Sequence, residues 1–156
     1  MAKRASHGKA ECPVARTVDV IGDEWSLLIL RDAFDGLRRF NEFQRNLGLA
    51  KNILATRLRH LVAHGILELV PASDGSVFHE YALTQKGRDL FHVLVGLRQW
   101  GEHHCFQADE PRSVLVDTRK GQPVKELELH AQDGRRLEPT DAVVKKVSEQ
   151  KPRAKR

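Results

Sequence analysis

Lys51, Asn52, Thr56 and Arg59 share one side of a helix if the stretch KNILATRLRHLVAHG is helical. Their types suit the edges of nucleic-acid bases. An Asn amide can pair in bidentate fashion with adenine, Lys and Arg reach guanine or phosphate, and Thr meets a base edge or a thymine methyl. Ala55, between them, is small enough to let the helix approach closely. Arg38 and Arg39 precede this stretch and would sit near a phosphate, and Ser76 and His79 further on are candidate backbone contacts. An exposed Arg or Lys is more often only solvated, so no single residue decides the matter; the ordered set carries the reading.

Other reactive groups are sparse. Cys12 lies close to Arg16 and near an expected helix N-terminus, a setting that can make a thiol reactive. The alternative is a small residue pinning the N-terminal arm. The other cysteine, Cys105, is far away in sequence, so neither a metal-ligand pattern nor a disulfide framework is visible. In Glu102-His103-His104-Cys105 adjacent residues on one helix point in different directions and rarely share an ion, so no metal or cofactor is expected. No nucleophile–base pair, phosphate loop or paired catalytic carboxylates stand out, and the chain does not read as an enzyme.

The elements that must position these residues follow from periodicity. Val14, Ala15, Val18 and Ile21 repeat at helical spacing up to Gly22, and Trp25, Leu28, Ile29 and Phe34 mark a second helix ended by Gly36. Phe40, Phe43 and Leu47 predict a short third helix closed by Gly48. In the fourth, Leu54, Leu58, Leu61 and Val62 form the apolar face, and His64-Gly65 signals its end. ILELVPA and VFHEYAL read as two strands joined by the turn SDGS, and Thr84 is a plausible N-cap for one long helix running to about Cys105. Two helices about four residues apart followed by a hairpin make a winged helix-turn-helix, a mainly α fold with a small β-hairpin wing. In that fold the second helix of the pair enters the DNA major groove and the wing lies over the backbone.

Of the 156 residues, 40% are apolar and 30% charged, a globular balance with no apolar run long enough to span a bilayer and no apolar stretch behind the basic N-terminus. A cytoplasmic protein without membrane association is expected. The net charge is +5, yet residues 12–106 hold eleven basic and eleven acidic groups. The excess lies in the two ends. Within the central region Arg38, Arg39, Arg45, Lys51, Arg57 and Arg59 face only Glu42 between residues 38 and 60, so a neutral domain can still present a positive face.

The last long helix has more apolar surface than one core needs. Leu90, Leu94 and Leu97 form one stripe, Phe91 and Val95 a second, Val93 and Trp100 a third. Either the C-terminal extension covers the surplus or a second copy does. Trp25 and Trp100 are core or interface candidates that could border a small pocket for an apolar effector.

The chain from about Cys12 to His104 resembles the HxlR-type winged-helix transcriptional regulators. The resemblance rests on Cys12-Pro13-Val14, Ile21-Gly22 with Trp25, Arg39-Phe40, Leu54 with Arg57-Leu58 and Leu61, Gly65-Ile66, and Tyr81-x-Leu83-Thr84-x-x-Gly87. It implies a homodimer paired through the N-terminal segment, with Val14, and through the last long helix, with Leu94, Leu97 and Trp100. It further implies double-stranded DNA as partner, in pseudo-palindromic operators, and a redox or electrophile response at the cysteine that Cys12 matches in some relatives. Two positions depart from the family pattern: Asp23-Glu24 replaces a common Gly-Lys, and Ala50 stands where a Ser often caps the recognition helix. The alternative function is a winged-helix protein-interaction module that does not bind DNA; an acidic or apolar face in place of the basic one would have favoured it.

The expected organisation is a flexible basic tail over 1–11, the DNA-binding and dimerisation domain over 12–106, a small strand-containing appendage over 107–147, and a basic tail over 148–156. In the appendage, Ser113 to Asp117 and Val124 to His130 read as strands around the turn RKGQP, and RRLEPTDAVVKKV as a source of a last short helix. The absence of cysteine after Cys105 excludes a zinc knuckle there.

Overall fold

A computed structural model describes residues 6–149. The chain divides into two compact units, Met1–Val95 and Gly96–Arg156. The division falls inside a helix, whereas the sequence composition changes only after residue 106.

The first unit contains α1 (Pro13–Ile21), α2 (Glu24–Phe34), α3 (Phe40–Leu47), α4 (Lys51–Ala63), β1 (Leu67–Pro71), β2 (His79–Leu83), α5 (Gln85–Arg88) and the first turn of α6 (Phe91–His104). Local chemistry sets these boundaries. Pro13 opens α1 at a position whose N–H needs no helical partner. The Asp23 carboxylate caps α2, accepting from the Ser26 N–H at 2.9 Å and its hydroxyl at 2.6 Å. Gly48 ends α3 in the left-handed conformation, φ 64°. Ala50 caps α4 with no side-chain bond, as its type dictates.

The core lies where α2, α3 and α4 meet. Ile29, Leu30, Phe43, Leu54, Leu58 and Leu61 are fully buried. Each such side chain contributes about 1.5–3 kcal/mol of burial free energy, which fixes α4 to the domain by its apolar face. The Asp32 carboxylate, also buried, accepts from the Asn46 amide at 2.8 Å and from Arg31 at 2.7 Å, tying α2 to α3. β1 and β2 pair antiparallel with Leu67 opposite Leu83 and Pro71 opposite His79. Val77 and Phe78, read as part of the returning strand, lie outside it at the wing tip, 91% and 70% exposed.

The expected single helix from Thr84 is two. Thr84 caps only α5, accepting from the Gly87 N–H at 3.1 Å, and the chain turns at Asp89-Leu90 before α6 begins. The turn lets Leu90 and Leu94 pack on the core. The segment before α1 is less loose than its composition suggests: the Ser6 hydroxyl donates to Asp19 at 2.7 Å, and Ala10 N–H to the His7 carbonyl at 2.8 Å.

The second unit holds the rest of α6 and the extension. The two strands expected there do not form a ladder. Among the described residues only isolated bridges occur there, Val116 with Pro123 across the turn that includes Gly121 and His130 with Arg136 across the turn that includes Gly134. One reason is that a side chain takes the place of a partner strand. The Gln99 amide donates to the Lys125 carbonyl at 3.0 Å and accepts from the Leu127 N–H at 2.9 Å. The last helix is likewise reduced to 3₁₀ turns at Pro139–Asp141 and Val147–Glu149. Residues 1–5 and 150–156, parts of the two expected tails, lie outside the described residues. The extension leaves α6 partly bare: Leu97 is 48% exposed and Trp100 62%. Among the described residues no helix is long and apolar enough to cross a membrane.

Candidate nucleic-acid interface

α3 and α4 with the intervening Gly48-Leu49-Ala50 make the helix-turn-helix. Because Leu54, Leu58 and Leu61 are buried, the opposite side of α4 faces outward. That side carries Lys51, Asn52, Thr56 and Arg59, all exposed. The Thr56 hydroxyl donates its hydrogen to the Asn52 carbonyl at 2.8 Å, so towards solvent it offers a methyl group and an acceptor. Arg59 lies back along the helix, with Nε 3.3 Å from the Ala55 carbonyl and a terminal nitrogen 3.4 Å from the Thr56 hydroxyl.

His60, a neighbour in sequence, does not belong to this face. Its Nε2 donates to the Val20 carbonyl of α1 at 2.8 Å, and its ring packs 4.4 Å from that of His64. Burial, with the neighbouring His60 and Lys86 charges, pushes the His64 imidazole below its ordinary pKa.

The wing is anchored to α3 by charge. Glu80 in β2 is buried, and its carboxylate accepts from Arg38 at 2.8 Å, from the Ser73 hydroxyl at 3.0 Å and from Arg39 at 3.4 Å. Arg39 also donates to Asp74 at 2.6 Å. Burial pushes the Glu80 carboxyl up, but Ser73, Arg39 and Arg38 together outweigh it and leave it below the ordinary value. The Arg39 guanidinium and the Ser76 N–H hold Asp74 well below the usual carboxylate range. The Tyr81 N–H donates to the Arg38 carbonyl at 2.8 Å, and Glu42 accepts from the N–H groups of Arg38 and Arg39, each at 2.9 Å.

Arg38 and Arg39 are therefore paired wing anchors, although both keep part of their surface in solvent. Arg57 is 3.5 Å from Asp23. Three of the six cations of the basic block thus meet acids supplied from elsewhere in the chain. Arg45, Lys51 and Arg59 make no ion pair within 4 Å among the described residues. Ser76 turns its hydroxyl away from solvent and its N–H onto Asp74 at 3.0 Å, while His79 is exposed at the start of β2. The structure thus brings Lys51, Asn52, Thr56 and Arg59 together on α4, with Arg38, Arg39, Ser76 and His79 around the wing.

Sequence reasoning missed Glu80 and Asp74 as partners. The available signal was a Glu amid the otherwise apolar or aromatic strand that follows an unmatched Arg-Arg pair.

The HxlR-like helix-turn-helix family model matches residues 20–109. The chain belongs to this family. HxlR-like relatives include an uncharacterised HTH-type transcriptional regulator of Mycobacterium tuberculosis, 46% identical over 98 residues, covering 63% of this chain and 62% of the relative. The chain thus spans less than two thirds of that relative's length. The Bacillus subtilis regulator YybR, also uncharacterised, is 34% identical over 76% of this chain and 90% of its own. Among solved structures, PA1607, a candidate transcription factor, is 57% identical, with TM-score 0.86 over 90% of this chain and 99% of that one. The redox regulator HypR, in its oxidised form, is 36% identical, with TM-score 0.54 over 60% of this chain and 97% of that one.

Val14 is 70% exposed on α1, whereas Leu94 is half-buried against the core. Cys12 is an exposed N-cap of α1 and Cys105 is exposed at the end of α6. The Arg16 Nε is committed to the Ala10 carbonyl. Among the described residues no cluster of His, Cys, Asp and Glu could hold a metal ion.

Proposed function

We propose that this chain is a sequence-specific, double-stranded-DNA-binding transcriptional regulator acting as a homodimer on pseudo-palindromic operators. The observation that carries the reading is the outer side of α4. It combines two side chains suited to base edges, Asn52 and Thr56, with two cations that make no ion pair among the described residues, Lys51 and Arg59, on a helix held rigidly by its buried leucines. In this reading α4 enters the major groove and Arg38, Arg39 and His79 approach the backbone, while Ser76, expected there from the sequence, has its hydroxyl turned inward and its N–H on Asp74 and shapes the wing turn instead. The two arginines there serve first to hold the wing and only secondarily to meet phosphate. The dimer pairs through Val14 of α1 and through Leu97 and Trp100 of α6, with Leu94 supporting that face from the core side. Exposure of Cys12 and the 36% identity to the redox regulator HypR support a thiol-based response at Cys12. Small electrophiles are then natural effectors.

The test is selection of bound genomic fragments by the purified protein, followed by titration of the recovered site. With the two unpaired cations of each protomer meeting DNA, a dimer releases about four counterions and log K should fall with log salt at a slope of about −3.5. Arg59→Ala should weaken binding on every sequence, and Asn52→Ala should chiefly relax sequence preference. Affinity indifferent to salt, or a uniform loss from Asn52→Ala, would refute the groove assignment.

A further inference from the structure

Beside α1 lies a recess of about 240 Å³ that the DNA-binding reading does not use. Val20, Ile66 and Leu90 give it an apolar floor; Arg16, Thr17 and Lys86 form its rim. An apolar cavity of roughly 150 Å³ suffices for benzene, so this one has room for a ring and one polar substituent. The rim supplies positive charge. The Lys86 ammonium spends one N–H on the His64 carbonyl at 2.7 Å and the Arg16 Nε is held by the Ala10 carbonyl; among the described residues the other two ammonium donors and the terminal guanidinium nitrogens make no hydrogen bond. Thr17 donates its hydroxyl hydrogen to the Pro13 carbonyl at 3.0 Å. The acid on this side of α1 is Asp19, whose carboxylate accepts the Ser6 hydroxyl and acts on His64.

We propose that this recess binds a small monocarboxylate with a flat apolar body, the ring on Val20, Ile66 and Leu90 and the carboxylate between Arg16 and Lys86. Its walls are shared with the DNA-reading helix: the Val20 carbonyl accepts the His60 N–H of α4, and Ile66 follows directly on the α4 C-terminal turn. An occupant that displaces α1 therefore strains a bond to α4. Occupancy of the recess stands by itself; its effect on operator affinity rests on the function proposed above.

The test uses benzoate as probe on the full isotope-labelled chain, followed by amide chemical shifts, with benzyl alcohol as neutral counterpart. Saturable shifts are expected at Thr17, Val20, Ile66 and Leu90. Losing one charge-assisted hydrogen bond should weaken benzoate about tenfold in Lys86→Met and in Arg16→Gln, and benzyl alcohol should bind the unmodified chain more weakly by a similar factor. Arg16→Gln keeps the comparison meaningful if Lys86→Met loosens the His64 turn. Unsaturable shifts, equal binding of the alcohol, or benzoate affinity indifferent to both substitutions would overturn the proposal. Operator affinity, measured separately with and without benzoate, distinguishes the two readings. A chain that binds benzoate but no DNA keeps the recess and loses the regulator, and the reverse result does the opposite.

Discussion

Replacing Gly87 by Ala should destabilise the protein although the glycine sits in a helix, where alanine ordinarily wins. A Cβ built at Gly87 would lie 2.2 Å from the Ile66 carbonyl oxygen and 3.0 Å from a Leu83 methyl. Ordinary contact needs roughly 3.5 Å, so the backbone must part by on the order of 1 Å. Overpacking of this kind costs about 1–3 kcal/mol. The same movement pulls on the wing root, where the Thr84 N–H meets the Ile66 carbonyl at 3.1 Å and its hydroxyl the Gly65 carbonyl at 2.6 Å. Those bonds are worth about 1 kcal/mol each. Against this stands a gain of up to about 1 kcal/mol from removing glycine's freedom. The net is a loss of about 3 kcal/mol, or about 1.5 M in the urea midpoint followed by far-ultraviolet circular dichroism. Gly101→Ala is the control: nothing lies within 4 Å of a Cβ at that position in α6. It should stabilise by up to about 1 kcal/mol. If both substitutions shift the midpoint the same way, close approach at the wing root is not what fixes Gly87.

Ala50→Ser should give α4 the side-chain cap it lacks and raise stability by about 1 kcal/mol, visible as a higher urea midpoint. An unchanged midpoint would show that the α4 N-terminus is already satisfied by water. Acid should weaken the fold in two stages. His64 has a depressed pKa, so its neutral form is favoured in the folded chain; that contribution is complete above about pH 6.5 and is lost as pH falls. Asp74, Glu80, Glu42 and Asp23 are depressed as well, so the unfolded chain binds more protons than the folded one below about pH 4.5. The melting temperature should fall through both windows, and the lower drop should be smaller in Glu80→Gln. A melting temperature that rises on acidification would reverse the sign and refute these assignments.

The helix-turn-helix and wing were legible because each boundary has a local cause. Gly48, Gly65 and the Ser73–Ser76 turn announce themselves, and the leucine spacing of α4 decides which side is out. What stayed hidden depends on distant residues. The break between α5 and α6 exists because Leu90 and Leu94 reach the core, and no periodicity within that segment reports it. The bridges of the second unit fell short of strands because Gln99 satisfies backbone groups more than twenty residues away in sequence. Arg38 and Arg39 were readable as cations, but their partners at 74 and 80 were not, so the face of the site was legible and its charge was not. His60, next to Arg59 in sequence, turns to α1 in space, which helical spacing alone does not report.

The wing separates what must stay from what is free to change. Its root is held by Glu80, by Tyr81 on the Arg38 carbonyl, and by the close approach at Gly87. Its tip keeps the Val77 and Phe78 side chains largely in solvent, and its tie to the first strand there is by backbone, the Ala72 N–H donating to the Phe78 carbonyl at 3.1 Å. Drift at the tip therefore costs little stability, and new side chains can be tried there without loosening the scaffold. If the wing meets DNA as proposed, a lineage built on this fold can diverge in what it recognises there at little cost in folding free energy.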